Sequence, residues 1–411
     1  MDHATGESSL ASAQEVEVNS GERQWRVRMR PGQLIAERGP APHPTVQDVA
    51  GAVRAAIAEP LDFPPLEHAV YPGDRVVFAV DGSPQAFRPL LIPLVEMAIR
   101  RGARPDDVVI LAPSRAKPAA EQGPAFPVRV EYHDPTDPAR LCYLASTEEG
   151  ERIYLNRTLV DADVVIVVGA VRYDPILGVR GTASGLFPAL STADSYERMV
   201  HSFTGQRLGH HTDSARKYVD QVAWLLGLQI AVQVVQGRGG EVVGVLAGQV
   251  DSVQKQATQL LDACCRVQVP RRADAVLVSV TKRGRQTVAD LARALHVASR
   301  VVRRHGDIIV LSDVAGELGP TLTRARSMDS PSDVLTYLRG TTPADAVTAF
   351  LIAGACRHAR VHLASGLDDD VVEELFMFPI DDEKHVERVL GRSESCIVLH
   401  EANLLTVDVE E

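Results

Sequence analysis

Short apolar runs alternate along the chain with segments in which apolar residues recur at helical spacing. Residues 89–101, for example, place Leu90 and Leu94 on one side of a predicted helix that ends at Gly102. Continuously apolar runs are typical of strands that are covered on both faces. Such runs predict strands at residues 75–80, 107–112, 128–132 and 162–169. Alternation of this kind predicts an α/β fold with mostly parallel sheets.

The middle of the chain predicts one antiparallel pair of strands. Residues 228–235 and 241–246 are both apolar runs, and the glycine-rich residues 237–240 join them as in a hairpin. A helix is predicted at residues 251–264. After the basic stretch 269–272 the strand and helix alternation begins again. Strands are predicted there at 275–280, 307–311, 360–363 and 396–399, and helices at 287–303, 343–357, 370–376 and 382–390.

The length of 411 residues suits two domains, each with its own core. We predict a polar flexible tail at 1–24, an N-terminal α/β domain at 25–268 and a smaller C-terminal α/β domain at 273–411. Ligands of open α/β sheets bind beyond the carboxyl ends of the strands. We therefore expect the two domains to face each other across an interdomain cleft.

Charge and composition narrow the classes of partner. The net charge of -11 disfavours binding to phosphate backbones, and 5% aromatic residues are too few for a base-stacking surface. We expect a small anionic molecule as the partner, with no nucleic acid and no membrane. The five cysteines form no C-x-x-C pair, so neither a disulfide framework nor a zinc site is indicated, and a cytoplasmic location is predicted.

Two candidate binding segments follow predicted strands. Asp81 and Ser83 come directly after the strand at 75–80, and a carboxylate, a hydroxyl and the flexible Gly82 suit a polar ligand. The alternative is a simple turn in which Ser83 caps the next helix. Residues 171–189 contain several glycines, and the backbone N–H groups of such a segment can face an anion, although this is neither a G-x-G-x-x-G nor a Walker A pattern.

Basic and histidine clusters are further candidates. Lys282, Arg283 and Arg285 follow a predicted strand of the second domain and suit an anion, with a solvated surface as the alternative. His201, with two more histidines at 210 and 211, suits a metal ligand or a general base. The alternative, which the spacing favours, is that these histidines lie in a polar loop between two helices.

Several segments in the same order resemble the nickel-pincer lactate racemase family, from about residue 25 to 400. They are residues 59–66 (Glu-Pro-Leu-Asp-Phe-Pro-Pro-Leu), 73–81 (Gly-Asp-Arg-Val-Val-Phe-Ala-Val-Asp), 90–94 (Leu-Leu-Ile-Pro-Leu), 162–169 (Ala-Asp-Val-Val-Ile-Val-Val-Gly), 246–248 (Leu-Ala-Gly) and 273–279 (Ala-Asp-Ala-Val-Leu-Val-Ser). In that family a nickel-pincer nucleotide is joined to a lysine in a Gly-Phe-Ser-Gly-Gly-x-Lys loop. The resemblance implies that the cofactor takes a hydride from a 2-hydroxy acid while a histidine handles the proton.

The chemical motifs of the family match less closely than the framework. Gly178 and Gly181 match the loop, but Ser184 stands at the lysine position and Asp174 at the position of the histidine that opens the loop. Ala116 replaces another histidine, and His201 lies one residue from a further one. The family's glutamine and lysine on the helix of the second domain correspond to Asp290 and Arg293. Because serine has no amine, the resemblance implies that no pincer nucleotide is bound covalently.

Two functions follow from these residues. The first is binding of a small 2-hydroxy acid or related carboxylate, with racemase or epimerase chemistry. Its alternative is a non-catalytic binding or regulatory protein that has lost the cofactor site. We expect His201 and Asp174 to act in catalysis, and His201 to bind any metal. The binding residues expected are Asp81, Ser83, Gly178, Gly181, Ser184, Lys282, Asp290 and Arg293.

Overall fold

The computed structural model describes residues 14–21, 23–117, 123–147, 150–204, 213–281 and 286–410. Its contacts divide the chain into two compact units. The terminal unit consists of the described residues of Met1–Pro40 together with Val267–Glu411, and the central unit is Ala41–Arg266. Both ends of the chain thus contribute to one unit, and the central unit is a continuous segment between them.

The strands are short and occur throughout the chain. In chain order they are β1 (Gln14–Ser20), β2 (Arg23–Met29), β3 (Leu34–Arg38), β4 (Val76–Val80), β5 (Val108–Pro113), β6 (Arg129–His133), β7 (Leu141–Ser146), β8 (Arg152–Asn156), β9 (Val164–Asp174), β10 (Gly178–Arg180), β11 (Ile230–Gln236), β12 (Val242–Gln249), β13 (Arg266–Val269), β14 (Ala273–Ser279), β15 (Val302–Leu311), β16 (Arg360–Ala364), β17 (Phe378–Pro379), β18 (Cys396–Leu399) and β19 (Thr406–Val409).

Helices connect most of these strands. In chain order they are α1 (Val49–Ala58), α2 (Arg88–Arg100), α3 (Arg157–Val160), α4 (Ala193–Thr204), α5 (Asp213–Leu226), α6 (Val250–Cys265), α7 (Val288–Val301), α8 (Pro320–Ala325), α9 (Pro331–Tyr337), α10 (Ala346–His358), α11 (Asp369–Glu374) and α12 (Glu383–Leu390). Among the described residues, no helix is long and apolar enough to cross a membrane.

The central unit contains a seven-stranded sheet with the order β12-β11-β9-β4-β5-β6, to which β10 adds by pairing with β9. The strands from β11 to β6 run parallel, whereas β12 is antiparallel to β11, which confirms the predicted hairpin. Alternate residues of these strands contribute to cores on opposite faces. One core includes α1 and α2, and the other includes α4, α5 and residues 183–190.

The terminal unit contains a six-stranded sheet with the order β17-β16-β15-β14-β18-β3, and all of its strand pairs are parallel. Helices α7 and α10 contact strands of this sheet. The predicted α/β fold with mostly parallel sheets is therefore confirmed. That the two sheets face each other across a cleft stays a prediction.

The start of the chain needs a correction. We predicted a flexible tail at 1–24 and a domain beginning at residue 25, but residues 14–20 form β1, which pairs with β2. Valines alternate with polar residues in β1, and Val16, Val18 and Trp25 are buried in one core with Leu277 of β14. Our prediction considered only the polarity of this segment, whereas its alternation is typical of a strand with one buried face. The described residues up to 40 accordingly belong with the C-terminal part of the chain.

Candidate functional site

A row of three positions crosses the central sheet at the level where β4 ends, midway along β9 and β11. Gln233 of β11 lies opposite Gly169 of β9, and Asp81 follows β4 and donates its N–H to the Val168 carbonyl at 3.0 Å. We call Asp81, Gly169 and Gln233 the polar row. A Cβ atom on Gly169 would lie 3.2 Å from the Asp81 Cβ and 3.4 Å from the Gln233 Oε1, so the missing side chain lets these two groups approach.

Two arginines lie beside the buried carboxylate of Asp81. Arg180 donates from Nε to Oδ2 at 2.8 Å and from Nη2 to Oδ1 at 2.6 Å, which is the bidentate geometry of strong ion pairs. Arg172, opposite Arg180 in the β9 and β10 pair, has its Nη2 3.9 Å from Oδ2. Burial disfavours the charge of Arg180, but the Asp81 carboxylate outweighs this effect and raises the pKa of Arg180. One carboxylate therefore holds two guanidinium groups at the end of the sheet.

The glycine-rich segment turns back on itself instead of exposing its backbone donors. Gly181 has a φ of 146°, and a Cβ there would lie 2.7 Å from Cγ2 of Val171. Its N–H donates to the Ser184 Oγ at 2.8 Å, and that buried hydroxyl donates to the Gly181 carbonyl at 2.9 Å. Gly178 begins β10, with a φ of 71°. The expected anion contact of the Gly181 N–H is thus replaced by a bond to Ser184.

Helix α6 fixes the glycine-rich segment from the other side. Thr182 has a φ of 45°, unusual for a residue with a branched side chain, and its hydroxyl donates to the Gln254 Oε1 at 2.6 Å. Tyr173 of β9 donates its hydroxyl to Asp262 at 2.6 Å, and burial together with this carboxylate raises the pKa of Tyr173. Both bonds tie the edge of the candidate site to α6.

Asp174 lies at the end of β9, where it stabilises a turn. Its Oδ1 accepts the N–H groups of Ile176 and Leu177, each at 2.9 Å. Its charge also contributes to raising the pKa of Arg180. The expected catalytic residue therefore lies near the ion pair, with one carboxylate oxygen occupied by backbone donors.

Ser83 lies between β4 and α2, and His201 lies in α4. The Ser83 carbonyl accepts the N–H groups of Ala86 and Phe87, and α2 begins only at Arg88, so Ser83 does not cap this helix. His201 is half-buried in α4, so at this residue the alternative of a polar loop is wrong. Residues 210 and 211 are outside the described part of the chain. Within the described part, no group of three or more His, Cys, Asp or Glu side chains is arranged to hold a metal ion.

In the terminal unit, Asp290 and Arg293 are bonded to each other. Asp290 forms a capping box with Thr287 at the start of α7, and Arg293 donates to its Oδ1 at 2.5 Å. Burial opposes ionisation of Asp290, but Arg293 and Thr287 outweigh it and lower the pKa of this carboxyl. Lys282, with the other basic residues at 283 and 285, lies outside the described residues.

Sequence reasoning missed Arg172, Arg180 and Gln233. The two arginines stand inside the glycine-rich segment, and neither its glycine pattern nor its spacing indicates a role for their guanidinium groups. Gln233 interrupts the continuous apolar run of β11, and a polar residue in such a run is a usable signal of a buried polar role.

The chain is similar to known proteins both in part of its sequence and in its fold. Residues 20–206 match the model of the lactate racemase N-terminal domain. The lactate racemase apoprotein from Thermoanaerobacterium thermosaccharolyticum has a similar structure, with a TM-score of 0.77 and 14% identity over 96% of this chain and 100% of that one. A Thermotoga maritima protein has a TM-score of 0.62 and 13% identity, over 90% and 100% of the two chains. At such identities the structures show a shared fold. The search of curated proteins gives no match.

Proposed function

Because its first half carries the lactate racemase N-terminal domain, the chain belongs to the lactate racemase family, and from this premise we propose that it binds a small 2-hydroxy acid or related carboxylate. We place the ligand at the polar row of the central unit, beside Arg172 and Arg180. Ligands of parallel α/β sheets bind beyond the carboxyl ends of the strands, and Asp81 lies directly after the carboxyl end of β4.

The observation that carries the proposal is the convergence of two guanidinium groups on Asp81. Guanidinium groups bind carboxylates with charge-assisted hydrogen bonds. Arg180 makes a bidentate pair with Asp81, and the side chain of Arg172, which is 38% exposed, lies 3.9 Å from the same carboxylate. We therefore expect an incoming carboxylate to bind Arg172 and Arg180, while Asp81 keeps the two guanidinium groups in place.

The loop residues do not suit covalent attachment of the family's nickel-pincer nucleotide. Ser184 has no amine, and its hydroxyl is buried and bonded to both backbone groups of Gly181. Asp174 offers a hard oxygen donor, which suits nickel less well than imidazole. For this reason the non-catalytic binding protein is our second candidate, and racemase or epimerase chemistry is proposed only if the cofactor is held in another way.

Calorimetric titration with L-lactate and D-lactate tests the binding proposal. We expect Arg172→Gln to weaken binding about ten-fold or more, because a charge-assisted hydrogen bond is lost. Arg54→Gln is the matched control, since Arg54 makes a surface pair with Glu96 on other helices of the same unit. Absence of lactate binding in the wild-type protein, or equal binding by Arg172→Gln, would contradict the proposal.

Intact-protein mass spectrometry separates the two candidates. The protein is coexpressed with the enzymes that make the pincer nucleotide, and we expect the mass of the unmodified chain. A covalent adduct, or conversion of L-lactate to D-lactate by the purified protein, would contradict the non-catalytic candidate.

A further inference from the structure

Gln233 is a fully buried polar residue whose amide oxygen accepts no hydrogen bond from the described part of the protein. Its Nε2 donates to the Val167 carbonyl at 3.5 Å, the limit of such a bond. Buried hydrogen-bond acceptors in native proteins nearly always have a donor. An acceptor that is buried without one has lost its hydrogen bonds to water and gained none in the protein, which is unfavourable. A donor from outside the described residues is the simplest way to satisfy this oxygen.

The orientation of the amide follows from its neighbour. Exchange of the amide oxygen and nitrogen would place the Gln233 oxygen against the carbonyl oxygen of Val167, and two acceptors repel each other. Oε1 therefore faces the side of Gly169, and the unmet group is an acceptor.

The unmet acceptor belongs to the polar row, next to the ion pair of Asp81 and Arg180. In the described arrangement the row is closed, since even a Cβ on Gly169 would lie 3.2 Å from Asp81 and 3.4 Å from Gln233. The short 3-10 helix Thr182–Gly185 packs against β9 and β11 over this face. A ligand reaches Gln233 only when this segment moves, and Gly178 and Gly181, both at positive φ, precede it.

We propose that Gln233 is the specificity-determining residue of the carboxylate site, and that its Oε1 accepts the hydroxyl hydrogen of a 2-hydroxy acid. This inference rests on the proposed function. It names the residue that recognises the hydroxyl group of the ligand, whereas the arginines bind its carboxylate. The ligand carboxylate binds the guanidinium groups, and the hydroxyl on the adjacent carbon supplies the donor that Gln233 lacks. A 2-keto acid presents an acceptor to this oxygen instead, and a simple fatty acid presents no polar group.

Three small acids test the inference on the wild-type protein. L-lactate, propionate and pyruvate share the carboxylate and three carbons, and differ at C2 by a hydroxyl, a methylene and a carbonyl. We expect calorimetry to show L-lactate binding at least about ten-fold more tightly than either of the others, because a site built around a hydroxyl leaves its acceptor unpaired with the analogues. Equal binding of all three acids would overturn the role of Gln233 and leave the proposed function intact.

Substitutions on β11 test whether Gln233 is the source of the preference for L-lactate. Gln233→Met keeps the length of the side chain and removes the acceptor, so we expect weaker L-lactate binding, unchanged propionate binding and loss of the preference. Gln236→Met is the matched control, since Gln236 is an exposed residue of the same strand. A preference that survives in Gln233→Met would overturn the inference. Failure of the wild-type protein to bind any of the three acids would overturn the proposed function and this inference with it. If Gln233→Met does not fold, equal binding of the three acids by the wild-type protein still overturns the inference, and Gln233→Glu, which keeps an acceptor at this position, is the second variant, with the preference for L-lactate expected to survive in it.

Discussion

At the scale of single residues, the ion pair of Asp81 and Arg180 stabilises the central unit chiefly through the penalty for breaking it. The Asp81 side chain is only 2% exposed, so its loss leaves the half-buried guanidinium of Arg180 without its bidentate partner. We expect Asp81→Asn to lower the free energy of unfolding by about 3 kcal/mol in urea denaturation. Asp163→Asn, at an exposed pair with Arg75, is the control and should change little. Equal effects of the two substitutions would contradict this assignment.

Asp307 in the terminal unit gives stability a defined pH dependence. Burial opposes its ionisation, but hydrogen bonds from Arg360 and His362 outweigh this and lower the pKa of Asp307 to about 2. Because this value lies below the ordinary 3.8, the carboxylate stabilises the fold above about pH 4, and this stabilisation is lost as the pH falls towards 2.

The corresponding variant isolates that carboxylate. We expect Asp307→Asn to lose about 2 kcal/mol relative to wild type at neutral pH and to approach wild-type stability near pH 2, as measured by denaturant unfolding at each pH. A difference between the two proteins that stays constant from pH 6 to pH 2 would show that ionisation of Asp307 contributes nothing.

At the scale of elements, the glycine-rich segment depends on its backbone conformation at particular positions. Gly181→Ala combines a strained φ of 146° with a contact of 2.7 Å to Val171, and we expect a loss of at least about 2 kcal/mol in the free energy of unfolding. Gly178→Ala is the matched control. Its φ is 71° but nothing lies within 4 Å of the added Cβ, so a loss of about 1 kcal/mol is expected. A larger effect at Gly178 would refute the close approach at Gly181.

The β1 and β2 hairpin contributes a buried tryptophan to the terminal unit. Trp25 is 2% exposed and Trp224 of α5 is 78% exposed. We expect Trp25→Ala to cost about 3 kcal/mol and Trp224→Ala to have little effect on thermal unfolding. Fluorescence gives a second measurement, since the chain has two tryptophans and Trp224→Phe should leave only the blue-shifted emission of a buried indole. Solvent-exposed emission from Trp25 would contradict its place in the core.

Strands with both faces buried were predictable from the sequence, because burial on both faces requires consecutive apolar residues. The strands at 76–80 and 396–399 and the hairpin of β11 and β12 lie where the runs placed them. Contacts between residues that are distant in the chain produce no comparable local pattern in the sequence. Asp81 was a candidate from its position after a strand, but its partner Arg180 lies 99 residues away, and only the fold brings them together.

At the scale of the whole molecule, the central unit contains complete cores of its own. The buried clusters around its sheet are formed by residues between 53 and 253. We expect the fragment 41–266 to fold alone, with cooperative thermal unfolding followed by circular dichroism. The fragment 267–411 is the contrasting case, because it lacks β1 to β3 and the buried side chains of the hairpin. A fragment 41–266 without cooperative unfolding would contradict this division.

The parallel pairing of β3 with β18 has a consequence for the order of events during synthesis. Glu37 and His400, which are joined by a hydrogen bond at 2.9 Å, are separated by 363 positions in the chain. A ribosome adds residues at about 5 to 20 per second, so the first strands wait roughly 20 to 70 s for their partner to emerge. The central unit is complete well before then. Throughout that interval β3 has no partner strand, and the apolar side chains of the β1 and β2 hairpin are exposed to solvent. These are the surfaces that a chaperone would protect.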